Sequence, residues 1–347
     1  MVQRQFYLRD GGIHGGRQDR GGCTRGGCES QAQPDGADGG PEEDSFKAAG
    51  PGHAHHRPQG DQGPPGDQLA TLRLLDVFAE GAGFVLAFEL MLGDLGEMIR
   101  DATRSLTPAQ VKSYMTMLLS GVAFLHLHNI MHRDLKPANL LISDTGQLKI
   151  ADLGLCRVFN RQGKRLYSHQ VATRWYRAPE LLYGARQYNE GVDLWAVGCI
   201  FGEMINNSPI FPGESDIDQL CVVLQILGTP SETNWPGLSQ LPDYKKITFP
   251  ESKPVPLEQV LPDAPPDALD LVKKFVIYYS DKRLSASKAL LHHYFFTAPL
   301  ATPLSQMPVP PLDKKPPPAT QEYITDFPLH HITDAVRLHL DSLYLKG

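Results

Sequence analysis

The chain is poor in cysteine: five thiols in 347 residues, an odd number at scattered positions. That argues against a disulfide scaffold and fits a reducing compartment. Cys23 and Cys28 form a C-x4-C pair, but no second pair at zinc-site spacing accompanies them, so they read as free thiols. His53, His55 and His56 cluster in "HAHH" and read as an adventitious metal ligand at most. No apolar run approaches the ~18 residues of a spanning helix. The N-terminus lacks a positive stretch followed by an apolar core, so neither a membrane span nor a secretory leader is expected. Charge of one sign does not dominate either. A net charge of −6 offers no footing for nucleic acid or an acidic membrane surface.

The first 68 residues lack Leu, Ile and Val almost entirely, yet hold sixteen of the 32 glycines. They show neither a period of two nor the helical period, and cannot bury enough apolar surface to offset their ordering entropy. We expect residues 1–68 to be a disordered leader. From Leu69 the pattern changes. "LATLRLLDVFAE" and "FVLAFEL" read as two strands joined by "GAG". "TPAQVKSYMTMLLSGVAFLHLHN" reads as a helix with Thr107 as its cap and Pro108 at the first position. "GQLKIADLG" reads as a short strand after a turn. From Tyr188 onward, helical patterns follow in "VDLWAVGCIFGEMI", "DIDQLCVVLQILG", "DALDLVKKFVIY" and "SASKALLHHYFF". The class is α+β: a little sheet in 69–93, a helical body in 94–300, and a proline-rich, extended tail in 301–347. "ITDAVRLHLDSLYL" near the end is a candidate amphipathic helix.

The chemistry concentrates in "MHRDLKPANLLI", residues 131–142. Asp134 can accept a proton and Lys136 can neutralise a phosphoryl oxygen. Asn139, with Asp152 thirteen residues later, can offer hard oxygen donors to Mg²⁺. Together they suit phosphoryl transfer, which needs positioning and charge neutralisation more than covalent catalysis.

"HRDLKPAN" (132–139), "DLG" (152–154) and "APE" (178–180) stand in the order of the eukaryotic protein kinase signature, and the chain resembles that family from about Leu69 to Leu300. "YSHQVATRWYRAPELL" and "LGTPSETNWPGLSQLPDY" are similar to the cyclin-dependent-kinase group. With "ASKALLHHYFFTAPL" they resemble its cell cycle-related branch, tied to ciliary growth. The resemblance implies a protein-kinase-like fold, ATP and Mg²⁺ as cofactors, and Ser/Thr-Pro proteins as substrates. It implies a cyclin or other activator and an upstream activating kinase as partners. It also implies residence in nucleus and cytoplasm, extending to the cilium.

It further implies roles. Asp134 would take the hydroxyl proton, Lys136 would contact the transferred group, and Thr173 would bridge towards both. Asn139 and Asp152 would hold metal. Phe88 would be the gatekeeper, Glu89 and Met91 would bond adenine through their backbone, Asp94 would reach the ribose, and Leu141 would lie beneath the base. Ser168 would carry the activating phosphate, received by Arg133 and Arg157. Glu180 would pair with Arg283 as a structural bridge, and Asp193 would anchor the catalytic loop. A turned carbonyl at Ala172, held by Arg177, would favour a proline after the target residue. Leu153 replaces the usual Phe and should pack behind Asp152.

The family also needs a Gly-rich loop and a strand lysine, and residues 1–75 contain neither. The glycines come as doublets without a strand, and Lys47 follows "PEEDS". A stretch of matching length with a sharp end resembles a coding region read in another frame. The other reading is a true disordered leader on a chain with a reduced small lobe. The function is thus either a proline-directed serine/threonine kinase or a catalytically impaired scaffold.

Overall fold

The computed structural model describes residues 6–9, 12–15, 71–80, 83–159 and 166–311. The cysteine pair, the histidine cluster, the frame question and the candidate helix at 332–345 lie outside them. Two compact units are present. One comprises, of the described residues, 71–74 and 88–311; the other holds the remainder.

In the second unit, β1 (Phe6–Arg9) pairs antiparallel with β2 (Gly12–Gly15), Arg9 opposite Gly12. This corrects the expectation that the leader holds no strand. "FYLR" is a short β-prone run, and the Asp10-Gly11 connection is a strong hairpin signal. β3 (Leu74–Glu80) and β4 (Gly83–Phe88) pair as the two expected strands.

The first unit carries the helical body. Asp94 ends β5 (Gly93–Asp94) and caps α1 (Leu95–Arg100) in a reciprocal box with Glu97. Thr107 and Gln110 form the same box ahead of α2 (Pro108–Leu127), with Pro108 at the first position as expected. A three-stranded antiparallel sheet joins β5 to β7 (Leu140–Ile142) and β8 (Leu148–Ile150). β6 (Ile130–Met131) pairs with β9 (Arg157–Val158) across the catalytic segment.

After the short α3 (Pro179–Leu182) comes α4 (Gly191–Asn206), mostly apolar and buried nearly all round, with Asp193 and Glu203 as its buried acids. It packs against α2 and against α7 (Pro266–Phe275). α5 (Asp216–Leu227) and α6 (Leu257–Val260) follow it in sequence, and α8 (Ala286–Ala289) packs on α2. No helix among the described residues is long and apolar enough to cross a membrane.

Two helices are shorter than their patterns predict. α7 stops at Phe275 because the Ile277 and Tyr278 carbonyls accept from Arg283. α8 stops at Ala289 because His292 turns back. Its Nδ1 accepts from the Tyr294 amide at 3.3 Å and its Nε2 meets Asp270 at 2.8 Å. The tail also departs from expectation: residues 302–310 dock on the body, with Met307 in the main core.

Candidate active site

The segment 132–139 is short, and its polar side chains fold back on one another. A 3₁₀ turn, Pro137–Asn139, places Asn139 beside Asp134. The Asn139 amide nitrogen donates to the Asp134 carbonyl at 2.8 Å and to its Oδ2 at 3.1 Å. Lys136 Nζ donates to the same Oδ2 at 2.8 Å and to Thr173 Oγ1 at 2.8 Å. Thr173 in turn donates its amide (2.9 Å) and hydroxyl (3.1 Å) to Asp134 Oδ1. Both oxygens of one carboxylate are therefore held by residues from two chain regions. Asp134, Lys136, Asn139 and Thr173 come together as the sequence implied.

Beneath this cluster, Asp193 from α4 accepts the amides of His132 (2.9 Å) and Arg133 (2.8 Å) and the His126 ring (2.8 Å). Burial alone would raise its proton affinity. His126, His132 and the Arg133 amide outweigh that and hold the carboxyl below its usual range. Arg133 sits at φ +67, and Asp193, accepting the successive amides of His132 and Arg133, helps hold that turn. His132 closes the frame. Its Nδ1 accepts the Asp134 amide, so its Nε2 is the nitrogen left to donate to the Ala151 carbonyl at 3.0 Å, one residue before Asp152.

Asp152 stands at φ +63, at the start of a 3₁₀ turn, with Gly154 N on its Oδ1 at 3.4 Å. Since the Asn139 nitrogen is spent on Asp134, its amide oxygen is the atom left to face a cation. An amide oxygen and a carboxylate form a hard donor set, which fits Mg²⁺. The packing expected of Leu153 is not observed. Leu153 is 45% exposed.

The connection from β4 to β5 carries Phe88 and Glu89, both half-buried, then the buried Met91, then Asp94. The Glu89 amide donates to the Arg73 carbonyl at 3.1 Å, so the backbone bond it could offer a ligand is its carbonyl's. Its carboxylate does something the sequence reading missed: Lys149 Nζ reaches both oxygens, at 2.7 and 2.8 Å. Burial opposes the charge, but the Lys149 bond and the Arg73 amide hold the Glu89 carboxyl below its usual value. Leu141, half-buried on β7, pairs with Asp94 across the ladder and so lies beside it.

In the activation segment, Ser168 is exposed. Arg133 does not contact it directly. Its Nη1 donates to Tyr188 OH (3.0 Å), which donates to the Ser168 carbonyl (2.6 Å), and its Nε donates to the Leu155 carbonyl (2.7 Å). Arg157 stays exposed, its Nη1 on the Cys156 carbonyl. Further on, Ala172 adopts φ +66, and Arg177 holds the Val171 and Ala172 carbonyls, each at 2.9 Å. Glu180 and Arg283 form a buried bidentate pair at 2.6 and 2.8 Å. Arg283 also donates to the carbonyls of Gly191, Ile277 and Tyr278, so all five of its N–H groups are used. Tyr176, bonded to the buried Glu203 at 2.7 Å, is another link the sequence did not reveal.

The comparisons agree with this geometry. The protein kinase domain model matches residues 70–295. The chain is 62% identical to cyclin-dependent kinase 20 of Danio rerio over 271 residues, covering 76% of this chain and 78% of that protein. It is 65% identical to cyclin-dependent kinase 20 of Homo sapiens over 244 residues, 70% of each. Among solved structures it is similar to the CAK complex of Chaetomium thermophilum bound to ATP-gamma-S. That match has a TM-score of 0.64 and 37% identity, over 69% of this chain and 76% of that one. The chain belongs to the protein kinase domain family and, within it, to the cyclin-dependent-kinase group of serine/threonine kinases.

Proposed function

We propose that this kinase transfers the γ-phosphoryl group of ATP to serine or threonine hydroxyls followed by proline, in cell-cycle or ciliary regulation. The observation that carries the reading is the closed network of Asp134, Lys136, Asn139 and Thr173. Asp134 presents a carboxylate to the incoming hydroxyl and takes its proton. Lys136, held beside it, offsets charge on the transferred group. Asn139 and Asp152 would hold Mg²⁺, which neutralises the phosphate oxygens when bound. The ATP-gamma-S in the similar CAK complex supports nucleotide use. The preference for proline rests on Ala172. With its carbonyl held by Arg177, a substrate amide finds no acceptor there, and proline has no amide to leave unpaired.

Phosphorylation of Ser168 by an upstream kinase would add about −1.5 to −2 charge. That charge would draw Arg133, already linked to the Ser168 carbonyl through Tyr188, and the exposed Arg157. The partner would be a cyclin or other activator, and the setting nucleus and cytoplasm, with the cilium.

A scaffold reading has its own support in the missing Gly-rich loop and strand lysine and in the exposed Leu153. The test is phosphate transfer from Mg-ATP to paired peptides bearing Ser-Pro and Ser-Ala, beside an Asp152→Asn control. Transfer to Ser-Pro that the control loses supports the kinase reading. No transfer, and no thermal shift with Mg-ATP in either chain, supports the scaffold.

A further inference from the structure

The stretch from Thr302 to Pro310 opens the proline-rich tail, yet it runs along α2 and returns to β5. Thr302 N donates to the Ala109 carbonyl at 3.2 Å, and Ser113 Oγ donates to the Thr302 carbonyl at 2.8 Å. Tyr114 OH donates to the Pro308 carbonyl at 3.2 Å. Met307 is 5% exposed and Pro310 is buried.

Each of these buried residues meets a glycine. A Cβ on Gly146, which sits at φ +79 in the β7–β8 turn, would lie 2.7 Å from Met307 Cβ. A Cβ on Gly93 would lie 3.0 Å from Pro310 Cβ and 3.1 Å from its Cγ. The chain approaches this closely only because both positions lack a side chain.

Gly93 precedes Asp94, and β5 is only these two residues long, paired to β7 at Ile142 and Leu141. The ladder is short, so Asp94 is set by its capping box with Glu97 on the helix side and by what packs against Gly93. Pro310 supplies a wall on the far side, from a stretch whose ring-locked φ makes it stiff before docking.

We propose that residues 302–310 form a strap and that Pro310 is a positioning residue for the nucleotide, acting through Gly93 on Asp94. The inference rests on the reading of Asp94 as the ribose contact. The strap sets affinity rather than chemistry, since its hydrogen bonds go to α2 and not to Asp134, Lys136, Asn139 or Thr173. Pre-organising Asp94 spares the nucleotide the cost of ordering it.

The experiment uses the full chain. Mg-ATP affinity is titrated, KM for ATP and kcat are measured separately, and thermal midpoints are recorded. Pro310→Gly should raise both Kd and KM for ATP about five- to tenfold while kcat stays within about twofold. Pro310→Val, which refills the contact, should return close to the parent values. Should Pro310→Gly not fold, Pro310→Ala is the milder truncation, expected to give a smaller rise in KM of the same kind. A lowered midpoint with unchanged KM and Kd would mean a merely structural role and overturn the strap. Parent chain that binds no nucleotide would overturn the ribose reading beneath it, and the strap with it.

Discussion

Thr173 donates both its amide and its hydroxyl to one oxygen of Asp134, at 2.9 and 3.1 Å, across 39 residues of chain. The activation segment is thereby tied directly to the proton acceptor. Its conformation and the orientation of the carboxylate are one variable.

Removing only the hydroxyl tests that tie. Thr173→Ala keeps the amide bond but leaves Lys136 without one acceptor. We expect kcat to fall about tenfold, a barrier change of ~1.4 kcal/mol, with KM little altered. Thr173→Ser should recover most of the loss. Asp134→Asn should cost about a hundredfold to ten-thousandfold. Steady-state phosphotransfer measures all three, and a Thr173→Ala variant as fast as the parent would show the bridge to be idle.

The Glu180–Arg283 pair gives a stability prediction. Arg283 is buried, its five N–H groups used, and its guanidinium lies over Trp195 at 5.1 Å. Arg283→Met leaves a buried carboxylate unpaired and frees three carbonyls. The expected cost is about 3–5 kcal/mol, a fall of roughly 6–20 °C in Tm. Arg283→Lys should recover little, because an ammonium cannot reproduce the planar fork. Calorimetric unfolding decides it, and a loss under about 1 kcal/mol would contradict the assignment.

Specificity after the target residue should depend on Arg177. Freed from Arg177, the Ala172 carbonyl can turn to accept a substrate amide. Arg177→Ala is expected to lower the Ser-Pro over Ser-Ala ratio of kcat/KM roughly tenfold, mainly by raising the Ser-Ala value. A fall in both rates with an unchanged ratio would place the preference elsewhere.

Glu203 carries a pH prediction. Burial raises its carboxyl above the usual 4.5, against the lowering effect of Tyr176 and Arg100. The folded chain thus holds this proton to higher pH than the unfolded chain does. Its stabilising contribution is complete below 4.5 and is lost as pH rises through the folded value. Glu203→Gln accepts from Tyr176 but cannot ionise. The variant should melt above the parent near pH ~7 and with it near pH ~4. Equal midpoints across that range would refute the shift. Asp193 has the opposite sign: lowered by its partners, it stabilises above 3.8 and stops doing so as pH falls through its folded value.

The catalytic segment was legible because its chemistry is local. Eight residues, "HRDLKPAN", contain a proton acceptor, a cation and an amide, and one 3₁₀ turn is enough to fold them together. The cap at Thr107 and the two strands before Met91 were legible for the same reason. Capping and alternation are short-range properties.

What escaped the reading spans long separations. Lys149 meets Glu89 across 60 residues, Tyr188 relays Arg133 to the Ser168 carbonyl, and Tyr176 reaches Glu203. None has a spacing to betray it. The proline-rich stretch was read as extended because its composition favours that form. Glycine at 93 and 146 leaves room for Pro310 and Met307 to dock. The β1–β2 hairpin was missed because glycine abundance outweighed a short signal at "FYLRDGG".

By itself, the sequence determined which groups do chemistry and in what order along the chain, because residue type and near-neighbour spacing are covalent facts. Tertiary structure alone decided which of those groups face one another. It brought Thr173 to Asp134, spent Asn139's nitrogen so that its oxygen remains for metal, set Arg133 against Tyr188, and laid Pro310 on Gly93. These are contacts between distant residues, and they exist only once the core around α2 and α4 has packed.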